Sequence, residues 1–335
     1  MFRVLPLLAL FGCGAPADRV VVYCAQDAEY AQGVFAAFDG QGRRTVAAKF
    51  DTEANKSVSL TVELEQEAGR PRCDVHWNNE ILGSIRLARK GVYAAYSSPN
   101  AADFPPWSRA TDGTWQAFAE RARVLIVNTD LVPAAERPTS ILDLTDAKWR
   151  GKLAMAKPQF GTTATHAACL FEVLGDEPAK AFFRGLKANG VALVAGNKTV
   201  ARGVADGQFA VGFTDTDDAV LEVIAGKPVA VLFLDEAGHP QFPRLGTLFL
   251  PNTLAVVSGA PNEAGAKALV DYLLTTEDAL AAGGGYQYPV APGKTARPHP
   301  ALKTRHEVTR MAADFDRAAD RWDAVQAFLR DQFAR

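Results

Sequence analysis

Three carboxylates stand within four residues at Asp215, Asp217 and Asp218, inside the stretch AVGFTDTDDAV from Ala210 to Val220. No Lys or Arg interrupts them, so they repel one another unless a cation, a cluster of donors or water serves all three. The apolar run Ala210–Phe213 reads as a buried strand, and a helical run follows Asp218. That spacing puts the carboxylates and Thr214 at the carboxyl end of a strand, where open α/β sheets bind ligands. A single helix cap accounts for one aspartate, not for three.

A second chemistry sits at Gly161-Thr162-Thr163, between an apolar run ending at Ala156 and a helical run through Leu174. A glycine and two hydroxyls at a helix N-terminus make an anion site, because free backbone N–H groups and the helix dipole point the same way. Gly196-Asn197-Lys198-Thr199 opens a further helix over Val200 to Asp206.

These residues need elements to position them. Val20–Cys24 is a continuous β-branched run, as in a central parallel strand. A helix over Glu29–Phe38 follows, then a strand over Thr45–Phe50, a helix through Leu60 and Leu64, a strand over Asp74–Trp77, and a helix through Ile81, Ile85 and Leu87. Three strand–helix units in succession predict a doubly wound α/β lobe. The strand ends carry Gln26 and Asp27, then Asp51 to Ser57, then Asn78, Asn79 and Glu80. In a parallel sheet these line one edge. Gly91–Trp115 reads as loop. Later strands are expected over Arg123–Asn128, Gly151–Ala156, Val191–Val194, Lys227–Leu234 and Thr247–Val257. A single amphipathic helix is expected over Asp314–Phe333.

The chain has 335 residues, with 36 Lys plus Arg against 38 Asp plus Glu. That length accommodates two lobes, and the balance offers no basic stripe for nucleic acid. Met1 to Phe11 is a basic start and a short apolar run, ending Leu10-Phe11-Gly12-Cys13. It resembles a bacterial lipoprotein signal: residues 1–12 would be removed and Cys13 lipidated, leaving the chain anchored rather than spanning. Cys24, Cys73 and Cys169 read as buried small hydrophobes, with a Cys24–Cys73 disulfide the less favoured alternative.

The order and spacing of VVVYCAQD, DVHWNNE, RVLIVNTDLVP, WRGKLAMAKPQFGTTAT, NKTVARGVADGQFAVGFTD and LFLPNTLAVVSGAPN resemble the periplasmic solute-binding proteins of ABC transporters, specifically the ferric-iron-binding type. The resemblance implies a type II periplasmic binding fold: two doubly wound α/β lobes joined by two crossing strands, near Arg123–Asn128 and Leu248–Val257. Lobe one would be 19–125 plus 255–335, and lobe two 126–250. It also implies a monomeric periplasmic receptor that delivers its solute to an ABC permease.

In the iron-binding members a His after the first strand, an acid after the third and two adjacent Tyr hold the metal, with phosphate or carbonate on the Ser/Thr-Gly loop. Here Asp27 falls at the His, Asn79 or Glu80 at the acid, and Asp217-Asp218 at the tyrosine pair. Thr162 and Thr163 match the anion loop, and Asn197 an anion-side amide. The metal half is therefore rewritten without phenolates.

Asp27, Glu80, Asp215, Asp217 and Asp218 form an all-oxygen set suited to hard cations such as Fe(III), Mn(II), Ca(II) or Mg(II). Gln26, Asn78, Asn79, Thr162, Thr163, Asn197 and Thr214 would hold the ligand or its anion. The alternative is an organic phosphate or phosphonate, with Trp77 and Tyr23 as apolar walls. An enzyme is the competing class: Asp215-Thr216-Asp217 superficially resembles the DxD of Mg-dependent phosphatases. That motif belongs on a first strand, not in mid-chain, and no catalytic cofactor is expected.

Overall fold

A computed structural model describes residues 19–40, 44–51, 58–277, 280, 285–291, 293 and 297–333. The expected signal segment and Cys13 lie outside these residues, as do Thr52 to Ser57.

The first lobe begins as expected. Strand β1 (Arg19–Cys24) lies between β2 (Thr45–Phe50) and β3 (Val75–Asn78), parallel to both. Helices α1 (Ala28–Asp39), α2 (Val58–Gln66) and α3 (Ile81–Arg89) follow the three strands in turn. Glu80 caps α3 by accepting from the Gly83 amide at 2.7 Å. A Cβ on Gly83 would meet that carboxylate at 2.1 Å, so the cap requires glycine there.

A short strand β4 (Tyr93–Ala94) interrupts the region read as loop. Strand β5 (Gln116–Asn128) is seven residues longer at its start than Arg123–Asn128. Its first part carries Gln116, Glu120 and Arg121, which argue against a buried strand. All three are buried because each has a partner: Gln116 donates to Ser108, while Arg305 and Arg310 donate to Glu120. Arg121 donates to Asp217.

The second lobe holds β6 (Leu153–Ala156), α4 (Gly161–Leu174), α5 (Asp176–Ala188), β7 (Ala192–Val194), α6 (Asn197–Ala205), β8 (Val211–Asp215), α7 (Thr216–Ile224) and β9 (Val229–Leu232). The chain returns along β10 (Phe249–Val257) into α8 (Glu263–Leu273) and β11 (Tyr288–Pro289). It ends in α9 (Phe315–Asp320) and α10 (Trp322–Phe333), two helices rather than the single one expected.

The sheet runs β2-β1-β3-β10-β5-β8-β6-β7. β5 is its pivot. Through Ala122, opposite Phe249, it pairs antiparallel with β10; from Arg123, opposite Asp215, it pairs antiparallel with β8. A single strand thus leaves one lobe and enters the other between two adjacent residues.

The terminal helices bear on both lobes: α9 packs against α3 as well as α4, and α10 against α4 and α5. Phe328 meets Phe171 with ring centroids 5.5 Å apart. Arg89 of α3 reaches Asp320 at 2.7 Å and Asp316 at 2.8 Å, so the terminal helices touch both lobes. Burying Val325, Leu329 and Phe333 stabilises that seat by about 1.5–3 kcal/mol per side chain.

Candidate functional site

The pivot in β5 sets the site. Residues two apart in a strand face the same side, so Arg121 and Arg123 both point into the cleft. Asp215, at the end of β8, lies opposite Arg123 in register. Its Oδ1 accepts from Arg123 Nη1 at 2.8 Å; its Oδ2 accepts from Thr162 Oγ1 at 2.7 Å and Asn197 Nδ2 at 2.9 Å. Asp217 Oδ2 accepts from Arg121 Nη1 at 3.0 Å. Arg121 Nη2 also donates to the Asn79 carbonyl of lobe one at 3.3 Å.

The carboxylates therefore share a partner, and it is the chain's own pair of guanidinium groups. Burial works to raise the Asp215 carboxyl, but Arg123, Arg121 and the Thr162 hydroxyl outweigh it and hold it below the usual range. Burial likewise disfavours the charge on Arg121, yet Asp217 and Asp215 raise its pKa. One oxygen from each of Asp215, Asp217 and Asp218 lies within 4.8 Å of the others, a spacing that a single cation could span.

Two helix N-termini open on the same space. Gly161 starts α4 with φ +54°, a conformation that favours glycine, and Phe160 before it offers no side-chain cap. Gly196 likewise leaves the start of α6 without a side-chain cap. With Asn79, Arg121, Lys157, Thr162, Thr163, Asn197, Asp215 and Asp218 they line a cavity of about 30 Å³. A water needs roughly 10–15 Å³ of such space, so this one admits a water or two, or one ion.

The expected site residues sort into three groups. Asn79, Thr162, Thr163, Asn197, Asp215 and Asp218 converge on the cavity, with Asp217 beside it on Arg121. Thr214 and Gln26 support it: Thr214 holds the Asn197 carbonyl at 3.1 Å, and Gln26 accepts from Gln287, which binds Asn252 beneath Arg121.

Asp27, Glu80 and Asn78 do not join the carboxylate group. Asp27 lies in an outer cavity with Lys198 and Arg202. The Glu80 oxygens are taken by Gly83 N and by Thr165 Oγ1, the latter at 2.7 Å. Asn78 turns to Ser84 at 3.1 Å. The Thr162 and Thr163 hydroxyls, expected to face an anion, donate instead to Asp215 and Asn197. Donors for an anion are thus the helix N-termini, Arg121 and Lys157.

Trp77 is core against Phe35 and Phe118, and Tyr23 is core with its hydroxyl on Glu67. Cys24, Cys73 and Cys169 are buried thiols, with no disulfide between Cys24 and Cys73.

This arrangement, two α/β lobes about a polar cleft at strand ends, can bind and enclose a small solute. A family model described as bacterial extracellular solute-binding protein matches residues 85–320. The chain belongs to that family. It is 26% identical to iron uptake protein A1 of Synechocystis over 250 residues, 71% of this chain and 67% of that one. It is 26% identical to the Fe(3+)-binding periplasmic protein of Serratia marcescens over 203 residues, 60% of this chain and 58% of that one.

Iron-bound HitA from Pseudomonas aeruginosa superposes with TM-score 0.80 at 21% identity, covering 94% of this chain and 99% of that one. AfuA from Actinobacillus pleuropneumoniae, with fructose-6-phosphate bound, gives TM-score 0.81 at 22% identity, covering 94% and 98%. These likenesses establish the type II periplasmic binding fold.

In this solute-binding protein the residues that sequence reasoning missed are Arg121, Arg123 and Lys157. Arg121 and Arg123 had a signal: two arginines at strand spacing leading into the apolar run Val124–Val127.

Proposed function

We propose that this solute-binding protein is the extracytoplasmic receptor of an ABC importer and that its cleft takes a hard metal ion, ferric iron, with a small anion. The observation that carries the reading is the set of three carboxylate oxygens within 4.8 Å beside a donor-lined cavity of about 30 Å³. Carboxylate oxygens suit Fe(III), and two relatives are named for iron. A sugar phosphate is less favoured, because organic ligands usually occupy about 300–1,000 Å³.

Asp217 and Asp218 would ligate the ion, with Asp215 held by Arg123 behind them. Asp217 must exchange Arg121 for the metal, and the released guanidinium then faces the anion together with Lys157 and the two helix N-termini. Asp215 is a poor phosphatase nucleophile, since Arg123, Thr162 and Asn197 already donate to it. We read the chain as a monomeric binder tethered by a lipid on Cys13. Among the described residues no helix is long and apolar enough to cross a membrane.

Plasma mass spectrometry on protein purified without chelator tests this reading. About one equivalent of iron per chain is expected. A metal-free protein that carries a phosphorylated organic solute in its native mass spectrum would overturn it.

A further inference from the structure

Beyond the turn from Lys157 to Phe160 lies a second, larger cavity of about 660 Å³, within the usual range for small-molecule sites of about 300–1,000 Å³. Lys157 and Phe160 line both spaces. The other walls come from α2 and α3 of lobe one, from Leu193 on β7, and from α10. The apolar lining is Val62, Phe160, Leu193, Trp322 and Phe333. Val62 is 44% exposed at this rim, one of few large apolar side chains left open to water among the described residues.

The polar lining is unbalanced in sign. Glu65 is already paired with Lys90 at 2.8 Å, and Glu80 is spent on Gly83 and Thr165. Arg86 interacts electrostatically with Glu80, while among the described residues Lys157 and Arg330 form no ion pair, which leaves two cations facing Asp323. Arg86 lies over the Trp322 ring at 5.0 Å, so a flat cationic and aromatic surface is already assembled. Gln326 is 5% exposed, and its Nε2 is buried with no acceptor. A buried donor without an acceptor is costly, and an incoming oxygen would relieve it.

We infer that this cavity is a second binding site, for a small carboxylate carried on a flat apolar body, such as an arenecarboxylate. The ring lies among Trp322, Phe160 and Phe333. The carboxylate takes the unpaired charge of Arg330 and offers an acceptor to Gln326. Inorganic anions lack the apolar body that the walls require, and neutral arenes leave the cations unanswered.

The probe is 2-naphthoate, titrated calorimetrically into the full chain at low salt. One saturable equivalent is expected. Arg330→Glu, at an exposed position where folding is not at stake, weakens binding about ten-fold or more. Trp322→Ala does the same, and the neutral analogue 2-naphthamide binds about ten-fold more weakly than naphthoate. Asp217→Asn with Asp218→Asn leaves naphthoate binding intact, so failure of the metal reading and failure of this one are separable. Absence of saturable binding, equal affinity for the neutral analogue, or loss of binding in the Asp217/Asp218 variant alone would overturn the inference.

Discussion

Arg121 Nη1 lies 3.0 Å from Asp217 Oδ2, with both side chains at least 95% buried. The guanidinium rides on the strand that crosses between lobes, and the carboxylate stands in the first turn of α7 in the second lobe. The cleft therefore supplies its own cation. On the proposed reading, a metal ion entering the carboxylate cluster would compete with Arg121 for Asp217.

The first prediction follows from that competition. Arg121→Gln removes the internal cation and takes the Arg121 ion pair from the buried Asp217. Breaking one partner of a buried pair costs about 3–5 kcal/mol, so the metal-free variant should unfold at lower urea than the parent. Ferric iron, presented from a citrate buffer, should bind it about ten-fold more tightly and restore the lost stability. Weaker iron binding in this variant would mean that Arg121 serves the ligand rather than opposing it.

Asp217→Asn with Asp218→Asn tests the ligands themselves. The amides keep the shape and leave Arg121 an acceptor, so circular dichroism should be unchanged. Iron should be lost from the purified protein. A full equivalent of iron in this variant would move the metal site elsewhere.

Much of this fold was legible. Val20–Cys24 announces a central parallel strand because both its faces are buried and every residue can be apolar. The carboxylate cluster was legible because its members are sequence neighbours. Its charge partners were not: Arg121 and Asp217 are 96 residues apart, and Arg123 and Asp215 are 92 apart. Gln116–Arg121 was missed as strand for the same reason, since polar residues become buried strand residues only when distant partners satisfy them. Glu80 looked like a metal ligand because nothing local shows that Thr165 will claim its second oxygen. The seat of α10 on lobe two depends on Phe171 and Phe183, far upstream, and the helical period says only that some face is buried.

Asp215 carries a third prediction. Asp215→Asn removes the charge that Arg123 faces and leaves that guanidinium buried with the neutral Thr162, Thr163 and Asn197. The expected cost is about 3–5 kcal/mol in urea unfolding, with weaker iron binding because one negative charge beside Asp217 and Asp218 is gone. A variant as stable as the parent would mean that Thr162, Thr163 and Asn197 suffice for Arg123.

Glu80 gives the last prediction, and its sign is unusual for a carboxylate. Burial lifts its pKa from 4.5 to about 7, against the opposing hydrogen bonds from Thr165 and the Gly83 amide. A raised folded value means that the folded chain holds the proton more tightly than the unfolded chain. Between those two values stability therefore falls as pH rises, by up to about 3 kcal/mol from this group. Gln at this position keeps an acceptor for Gly83 and offers its amide to Thr165, so both bonds survive. Glu80→Gln should match the parent near pH 5 and exceed it at pH 8, with a flatter urea midpoint between. Because the Thr165 bond joins α3 of lobe one to α4 of lobe two, the same variant should weaken the pH dependence of lobe closure, read by small-angle scattering. Parallel midpoint curves for parent and variant would show that Glu80 stays ionised throughout and that Thr165 and Gly83 compensate its burial.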